Sequence, residues 1–360
     1  MKKKIKAIGL LFLILITLES CVSTQKIKSG HVIIGFTGDV MIGRLVNQDI
    51  SRRDYSYPWG NSLSLLHQVD LRIINLESTL TTHTEANPKV FNFKALPDRV
   101  KILQAAHIDV VSLANNHSLD FKEPGLAETI ATLNSIGINH IGAGMNAEQA
   151  CAPVIICKNG ISIGIIAYTD NEPTWKATVN KPGTNYIEIG NNNDLKTVTS
   201  QISTLRNLVD IVIVSLHWGP NMKQRPSEQF IQFAHNLIDA GVDIIHGHSS
   251  HVFQGIEIYK NKIIMYDTGD FIDDYAVDPL LRNDQSLFFA ITATKKGLQS
   301  ITLTPVIINN MQVNIAEGLE KQEIMKRITR LSQEFNTTIN DKGTVQILQK
   351  SNRASSIAKS

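Results

Sequence analysis

The sequence predicts an α/β fold, and three observations lead to this prediction. Short apolar runs of β-type residues alternate with segments of helical periodicity. Several of the runs are continuously apolar, as expected for strands buried on both faces of a sheet. After residue 31 there is neither an internal repeat nor a linker-like segment. We therefore expect one large domain.

The N-terminal segment is expected to direct export rather than to belong to this domain. A lysine-rich start precedes an apolar stretch over residues 7–17, which is short for a membrane span and typical of a secretory signal. Residues 1–20 end in "LES" before Cys21, which resembles a bacterial lipobox with Cys21 as the lipidated residue. The alternatives are an uncleaved anchor or an ordinary signal peptide. With residues 21–31 as a polar tether, the prediction is an exported, membrane-anchored lipoprotein of the cell envelope.

Seven apolar runs are predicted to be strands. In chain order they are HVIIGFT, LRIIN, DVVSLA, ISIGIIAYT, DIVIVSLH, GVDIIH and KIIMYDT. Helices are predicted over PDRVKILQAAH, EPGLAETIATLNSIG and SEQFIQFAHNLIDAG. In the last of these, Gly241 stands where a C-terminal cap is expected.

The chain after Asp284 has a different pattern. "SLFFAITATKKGLQSITLTPVIINNMQV" is typical of antiparallel strands joined by turns. The main domain is therefore predicted to span residues 32–314, followed by a C-terminal helix over residues 315–337. Residues 338–360 are polar and rich in serine and lysine, and they are predicted to be a disordered tail.

Composition excludes several kinds of protein. The 360 residues are 42% hydrophobic, which is enough for a substantial core. A net charge of +2, no long basic stripe and 6% aromatic residues give no support to nucleic-acid binding. The three cysteines, Cys21, Cys151 and Cys157, are too few for a disulfide scaffold or a cysteine-rich zinc site. Cys151 and Cys157 are either paired or free, and any metal must be held by His, Asp, Glu or Asn.

Residues that bind metals or transfer protons follow most of the predicted strands. They are Asp39, Asn75, Glu77, Asn115, Asn116, His117, Asp120, His217, His246, His248, His251, Asp267 and Asp270. Ligands of open α/β sheets bind outside the carboxyl ends of the strands, so these residues are expected to converge. One such residue alone is usually a turn residue, but turns have no preference for histidine. Carboxylates, amides and imidazoles without thiolates suit Mn²⁺, Zn²⁺ or Fe²⁺, and Asp39 and Glu77 are candidates to bridge two ions.

The ordered motifs of the chain resemble those of a known family. TGDVMIGR, NLESTLT, ANNHSLDF, SLHWGPN, HGHSSHVFQGIEIY and YDTGDFIDDY are similar to motifs of the capsule-biosynthesis CapA family, also called poly-γ-glutamate synthesis proteins. That family is related to the calcineurin-like metallophosphoesterases, and the resemblance covers roughly residues 31–310. It implies a metallophosphoesterase-like four-layer α/β/β/α sandwich with one or two divalent ions, Mn, Zn or Fe.

The resemblance also implies roles for individual residues. The metal ligands it implies are Asp39, Glu77, Asn116, His217, His248 and His251. His117 would assist the leaving group or an oxyanion. The orienting residues expected beside these ligands are Asn75, Asp120, His246 and Asp270. Arg44 follows the first motif and is a candidate to neutralise an anionic substrate, the alternative being a salt bridge to a neighbouring carboxylate.

The chain departs from the phosphoesterase pattern in two places. The phosphoesterases have a histidine two residues after the first aspartate, and here that position is Met41, whose thioether is a poor ligand for a hard ion. Their last motif is usually Gly-His-x-His, whereas Gly247 to His251 has one more residue between the histidines. Either one or two metal ions are therefore compatible with the sequence.

Three functions are compatible with these observations. The first is a metal-dependent hydrolase of the cell envelope that acts on a phosphoester or acyl bond of an anionic capsule polymer or its precursor. The second is a non-catalytic protein that binds this polymer or supports membrane synthase subunits through a degenerate metal site. The third is a metal-dependent amidase acting on γ-glutamyl bonds. Nothing in the sequence selects an amide over a phosphoester.

Overall fold

A computed structural model describes residues 30–347 of the chain. The predicted signal segment, the lipidation site Cys21 and nearly all of the tether lie outside the described residues, as does the tail beyond residue 347. Within residues 30–347, no helix is both long and apolar enough to cross a membrane.

The strands of the described chain are mostly short, and the three longest belong to the larger sheet. In chain order they are β1 His31–Val40, β2 Leu71–Leu76, β3 Thr79–Leu80, β4 Lys94–Ala95, β5 Val110–Ser112, β6 Asn139–Ile141, β7 Ala143–Gly144, β8 Val154–Lys158, β9 Ile161–Thr169, β10 Gly183–Thr184, β11 Ile211–His217, β12 Ile244–His248, β13 Ile256–Tyr259, β14 Lys262–Met265, β15 Asp270–Ile272, β16 Gln285–Thr294, β17 Gly297–Asn309, β18 Gln312–Ile315 and β19 Thr344–Gln346. Each of the seven predicted strands coincides with or overlaps one of these.

The α-helices alternate with the strands in the first two thirds of the chain. They are α1 Arg44–Asp49, α2 Leu63–His67, α3 Val100–Ala105, α4 Lys122–Ser135, α5 Ala147–Ala150, α6 Asn192–Arg206, α7 Glu228–Ala240 and α8 Gly318–Gln333. Short 3₁₀ turns lie at Ile50–Arg52, Tyr57–Ser62, Pro97–Arg99 and Pro173–Trp175.

Two β-sheets form the centre of the domain. The larger has the order β18-β17-β16-β1-β2-β5-β6, with β15 also paired to β1 and β19 to β17. The smaller has the order β13-β14-β12-β11-β9-β8. Strands β1, β2, β5 and β6 run parallel, as do β9, β11, β12 and β14. Each sheet therefore gathers several carboxyl strand ends at one edge.

The buried apolar residues divide into three clusters that define the layers. One cluster lies between the sheets and includes Ile34 of β1 and Ile213 of β11. A second packs helices α2 to α4 on the outer face of the larger sheet, and a third packs α6 and α7 on the outer face of the smaller. Burial of each large aliphatic side chain in such a cluster contributes about 1.5–3 kcal/mol. The predicted four-layer α/β/β/α sandwich is confirmed by this arrangement.

Helix α7 illustrates how local sequence sets an element of the outer layer. The Ser227 hydroxyl accepts a hydrogen bond from the Phe230 amide and caps the N-terminus. Phe233 and Leu237, one turn apart, are buried against the smaller sheet. Gly241 ends the helix with φ 120°, a conformation that glycine adopts without a steric penalty. The helix predicted here is confirmed.

The C-terminal part of the domain differs from its prediction. Helix α8 is not a separate appendage, because Ile324, Ile328 and Leu331 belong to the core cluster between the sheets. The prediction that the chain is disordered from residue 338 is wrong for residues 338–347, since β19 pairs with β17 there. Val345 in this strand and Ile347 directly after it pack into the core cluster between the sheets. In the sequence, the polar residues around them obscure this apolar pair.

Cys151 is a free thiol, so it is not paired with Cys157.

The end of β1 is held against the chain before β15 by a close backbone approach. The Asp39 amide donates a 2.8 Å hydrogen bond to the Gly269 carbonyl oxygen. A Cβ atom on Gly38 would lie 2.0 Å from that same oxygen. Only glycine fits at position 38 without moving the backbone that carries Asp39.

We predict that Gly38→Ala destabilises the protein by about 1–3 kcal/mol, because the added methyl group overpacks a rigid backbone contact. Urea unfolding measures the change in the free energy of unfolding. Gly30→Ala is the matched control, since a Cβ there meets nothing within 4 Å, and we expect a change within about 0.5 kcal/mol. Equal effects of the two substitutions would contradict the prediction.

Candidate metal centre

The candidate site lies where the carboxyl strand ends of the two sheets meet. In the larger sheet, strand register places Asp39 of β1 beside Asn75 of β2 and Asp270 of β15. In the smaller sheet, His217 of β11 is paired directly with His248 of β12. The two edges touch, because the Ser249 amide donates a 3.2 Å hydrogen bond to Asp39 Oδ2.

The first group of potential ligands is Asp39, His217 and His248, all fully buried. His217 Nδ1 lies 2.9 Å from His248 Nδ1, and His248 Nδ1 lies 3.6 Å from Asp39 Oδ1. Donor atoms this close together, with two imidazoles and one carboxylate, match the ligand chemistry of a borderline divalent ion.

The second group is Asp39, Glu77, His251 and Asp270. His251 Nδ1 lies 2.8 Å from Asp270 Oδ1 and 3.7 Å from Asp39 Oδ2. Asp39 therefore belongs to both groups, with Oδ1 towards His248 and Oδ2 towards His251. Asp39 could therefore serve as a ligand to an ion held by either group.

Four buried polar atoms around these groups have no hydrogen-bond partner. They are Glu77 Oε1, Asn116 Oδ1, His217 Nε2 and Asp270 Oδ2. Glu77 Oε1 and His217 Nε2 are 3.8 Å apart. Each unsatisfied buried acceptor costs about 1–3 kcal/mol, and a bound cation would satisfy several at once. The residues present therefore fit a divalent metal ion.

Burial sets the protonation state of the two imidazoles in the first group. The pKa values of His217 and His248 are lowered well below 6.5 by burial and by neighbouring histidines. Both rings are thus neutral at neutral pH, which is the form that binds a metal. His251 differs, because Glu77 and Asp39 outweigh its burial and raise its pKa.

Burial also sets the state of the carboxyl groups. It raises the pKa of Asp39 and of Glu77 well above the usual range, and neighbouring carboxylates raise both further. Three acidic residues this close together, Asp39, Glu77 and Asp270, cannot all be ionised without a compensating positive charge.

A chain of hydrogen bonds orients Asp39. Asn115 Nδ2 donates to the Leu76 carbonyl and to Asn75 Oδ1, so the Asn75 amide must point its Nδ2 the other way. Asn75 Nδ2 accordingly donates to Asp39 Oδ1 at 2.7 Å. Asn75 therefore has the geometry expected of an orienting residue. Asn115 is a further residue of the site, one to which the sequence pattern assigned no role.

His117 and Asp120 form a second hydrogen-bonded pair at the edge of the centre. His117 Nδ1 lies 2.6 Å from Asp120 Oδ2, which leaves Nε2 facing Glu77 Oε1 at 3.9 Å. Lys89 Nζ lies 3.0 Å from the other Asp120 oxygen. The Phe93 ring stacks on the His117 imidazole with the centroids 3.8 Å apart. Burial lowers the pKa of His117 to about 4 despite the neighbouring Asp120 carboxylate.

His246 faces away from the two ligand groups. Its Nε2 lies 2.8 Å from the Thr37 carbonyl oxygen, which can only accept, so Nε2 carries the proton. Ser215 Oγ lies 3.5 Å from His246 Nδ1 and 2.9 Å from His248 Nε2. His246 thus contacts the centre through Ser215 and His248, in keeping with the expected orienting role.

The loop after β12 accommodates the additional residue between the last histidines. Ser249 has φ 116° and His251 has φ 59°, so two non-glycine residues adopt strained left-handed conformations. The tight turn that results brings His251 back to Asp39. The inserted residue therefore does not remove His251 from the site.

Met41 lies at the position where the phosphoesterases have a histidine. It is fully buried, and its Sδ accepts a 3.2 Å hydrogen bond from the Gly43 amide. This backbone contact and its complete burial indicate that Met41 contributes packing.

Arg44 lies at the rim of the site rather than among the ligands. Its Nε is 3.4 Å from Asp274 Oδ1, which is the salt bridge considered as the alternative. Its guanidinium also lies over the rings of Phe91, Phe93 and Tyr275, at 5.7–5.9 Å from their centroids. Phe93 contacts His117, and Tyr275 contacts His251, so Arg44 reaches the centre only through these rings.

Tyr275 is the residue of the site that sequence reasoning missed most clearly. Its hydroxyl lies 3.5 Å from Glu77 Oε2, and its ring packs edge-on against His251. Its place at the end of the motif YDTGDFIDDY was the available signal. Asp267 was similarly left without a role, although it accepts hydrogen bonds from the amides of Ser250 and Gly269 and so holds the loop beside His251.

Comparison with known proteins gives consistent matches. Residues 33–275 match the family described as "Bacterial capsule synthesis protein PGA_cap". A probable polyglutamine synthesis accessory protein of Mycobacterium tuberculosis (strain CDC 1551 / Oshkosh) is 33% identical, over 83% of this chain and 83% of that protein. The capsule biosynthesis protein CapA of Bacillus anthracis is 27% identical, over 87% of this chain and 76% of that protein. A solved structure of a phosphatase from Mycoplasma pneumoniae is 15% identical with a TM-score of 0.46, over 77% of this chain and 94% of that one.

We predict that His217→Ala lowers the metal content of the purified protein by at least one ion per chain, because His217 faces both His248 and Glu77. Elemental analysis after dialysis against excess Mn²⁺ or Zn²⁺ measures the stoichiometry. His235→Ala is the control, since His235 pairs with Glu257 away from the centre and its loss should leave the stoichiometry unchanged. Equal metal content in the two variants would contradict the assignment.

We also predict that the stability of the metal-free protein falls between pH 7.5 and 8.5. Above pH 7.5 the histidines with lowered pKa are almost fully neutral in both the folded and the unfolded state, because an unfolded histidine has a pKa of about 6.5. The remaining contributors are His251 and the buried carboxyl groups, whose pKa values are raised, to about 7 for Asp273 and well above the usual range for Asp39, Glu77 and Asp270. The folded state therefore binds more protons than the unfolded state, so raising the pH destabilises it.

Thermal unfolding of chelator-treated protein across this pH range measures the effect. Because a bound metal replaces those protons as the positive charge, we expect the stabilisation by added metal to grow with pH. A flat or rising metal-free stability from pH 7.5 to 8.5 would show that the carboxyl groups do not retain protons in this way.

Proposed function

This chain belongs to the bacterial capsule synthesis protein family, as its motifs predicted, and we propose that it acts in capsule assembly as a metal-dependent hydrolase. The observation that carries the proposal is the position of Asp39, which presents one oxygen to each of two buried ligand groups. Such a centre suits hydrolysis of a phosphoester or acyl bond in an anionic capsule polymer or its precursor.

The metal expected at this centre, one or two ions of Mn, Zn or Fe, would polarise the bond to be cleaved and lower the pKa of a coordinated water. Asp39, Glu77, Asn116, His217, His248 and His251 would hold it. Asn75 and Asn115 orient the Asp39 carboxylate, so its oxygens need no rearrangement when a cation binds.

His117 is the residue best placed to exchange a proton with the substrate. Asp120 holds its Nδ1, so the unprotonated Nε2 faces the ligand groups. The stacked Phe93 ring and the surrounding burial exclude water from this imidazole. Nε2 would therefore accept or return a proton at the oxygen that enters or leaves the reacting centre.

The surroundings of the centre favour an anionic substrate. A cavity of about 200 Å³ opens beside it, lined by Trp218, Lys223 and Ser250 among others. Arg44 adds a cation at the rim, with its side chain 35% exposed and bordered by the exposed Phe91. These two cations would bind carboxylates or phosphates of a polymer away from the bond that is cleaved.

One observation favours a second candidate, a polymer-binding or synthase accessory protein without catalysis. Met41 replaces a ligand histidine of the phosphoesterases, and its sulfur is turned to the Gly43 amide. In this second candidate, a centre that lacks the histidine would retain one ion for binding alone. We place this candidate second, because six residues still converge in two ligand groups that share Asp39.

We further propose that the protein is exported and anchored to the membrane through Cys21. Such a position would keep the metal centre beside a polymer made by membrane synthase subunits, which are the expected partners. No nucleic acid is expected as a partner, because the chain carries a net charge of only +2.

The decisive experiment compares His117→Ala with the unaltered full-length protein, assayed on phosphodiester, phosphomonoester and γ-glutamyl substrates with and without Mn²⁺. We expect kcat to fall by about 10²–10⁴-fold, as is usual for loss of an acid–base residue, with bound metal unchanged. Turnover of the γ-glutamyl substrate alone would identify the amidase.

The accessory role predicts a different outcome. Neither protein would turn over any substrate, and His117→Ala, which leaves the metal ligands in place, would restore capsule formation in a strain that lacks the gene. That combination of results would overturn the hydrolase proposal.

A further inference from the structure

A second polar cleft lies apart from the metal centre, between helix α8 and the chain that leads into β16. Its volume is about 810 Å³. Four basic residues line it, Arg282, Lys326, Arg327 and Arg330, against two acidic residues, Glu323 and Asp341. The lining thus carries a positive excess that the metal centre does not use.

The centre of this cleft is a guanidinium group without an ion-pair partner. Arg327 Nε and Nη2 are shielded from water and have no hydrogen-bond partner. Its Nη1 reaches only the Arg282 carbonyl at 3.4 Å and Gln285 Oε1 at 3.5 Å, both at the weak limit of hydrogen bonding. The adjacent Gln285 Nε2 is a further buried donor without a partner.

Other arginines of the same chain show what the Nε–Nη2 edge normally binds. Arg225 uses this edge for both Glu334 oxygens, at 2.7 Å each. Arg282 uses it for both Asp284 oxygens, at 2.8 and 2.9 Å. Among the described residues, no carboxylate oxygen lies within 4.0 Å of Arg327, so the equivalent edge there is unfilled.

The Arg327 guanidinium is nevertheless held in a fixed place. Its Cζ lies 4.1 Å from the centroid of the Phe253 ring, which is fully buried. Burial and the charges of Arg330 and Arg282 lower its pKa to about 10, so it remains charged at neutral pH. A half-buried cation whose Nε and Nη2 atoms are shielded from water is costly to maintain without an anionic partner.

We propose that this cleft is a binding site for an anion with two coplanar oxygens, a carboxylate or a phosphate. The anion would accept hydrogen bonds from Arg327 Nε and Nη2 and from Gln285 Nε2. Lys326 and Arg330 are exposed, long side chains of the same cleft and add positive charge beside Arg327. The inference does not depend on hydrolysis at the metal centre.

Calorimetric titration of the full-length protein with inorganic phosphate and, separately, with glutarate tests the proposal. Sodium chloride at matched ionic strength is the control for non-specific screening. We expect saturable binding of at least one anion, weakened at least about tenfold by Arg327→Met, because charged hydrogen bonds are each worth about that factor. Preference for glutarate or for phosphate identifies which group the cleft takes.

Two further variants distinguish anion binding in this cleft from anion binding elsewhere on the protein. Arg53→Met removes a surface arginine paired with Asp49 and should leave anion binding unchanged. His217→Ala should also leave it unchanged, whereas loss of binding in that variant would place the anion at the metal centre and overturn the inference.

The stability of the anion-free variants separates binding from a structural role. Without its unpaired charge, Arg327→Met should melt at the same temperature as the unaltered protein or higher. If that variant does not fold, Arg327→Lys keeps the positive charge but cannot donate the two parallel hydrogen bonds of Nε and Nη2. It should bind the anion at least about tenfold more weakly. No binding to the unaltered protein, or equal binding in the Arg327 variants, would overturn the proposal.

Discussion

The organisation of this protein depends on one buried carboxylate, that of Asp39. It ends the central strand of the larger sheet, and its two oxygens face histidines that come from the smaller sheet. The two sheets pack through a large apolar cluster, and the potential metal ligands lie at the edge where the strands end. Every ligand then approaches Asp39 from a different element, and strand register rather than loop conformation sets most of the distances.

This concentration of buried acidic and imidazole groups is electrostatically unfavourable, and it opposes folding. Asp39, Glu77 and Asp270 are fully buried, and their pKa values are raised by burial and, for each, by neighbouring carboxylates. Packing of the apolar layers is strong enough to hold them together, although their mutual repulsion opposes it. A cation bound at the centre would remove this conflict, since it would compensate the buried negative charge at this edge of the domain.

Much of the fold and the centre was predictable from the sequence, for a definite reason. Parallel strands must be apolar along their length and can carry chemistry only at their ends, so Asp39, His217 and His248 stand out as polar residues after apolar runs. The orientations of the side chains around the centre were not predictable in this way. The direction of the Asn75 amide follows from its contact with Asn115, and the orientation of His246 away from the ligand groups follows from its contact with the Thr37 carbonyl. Both contacts join distant parts of the chain. The strand at residues 344–346 was not predictable, because three residues are too short to show a strand pattern. It forms through its pairing with β17, which is distant in the sequence.

The direction of β1 has a consequence for how the protein faces its surroundings. The chain enters the domain at His31 and reaches the candidate metal centre at Asp39 along a single strand. At about 3.3 Å per residue, that separates the point of entry from the centre by roughly 25 Å. A protein attached to a surface through its N-terminus would therefore carry this centre at the opposite end of β1 from the side on which the chain enters.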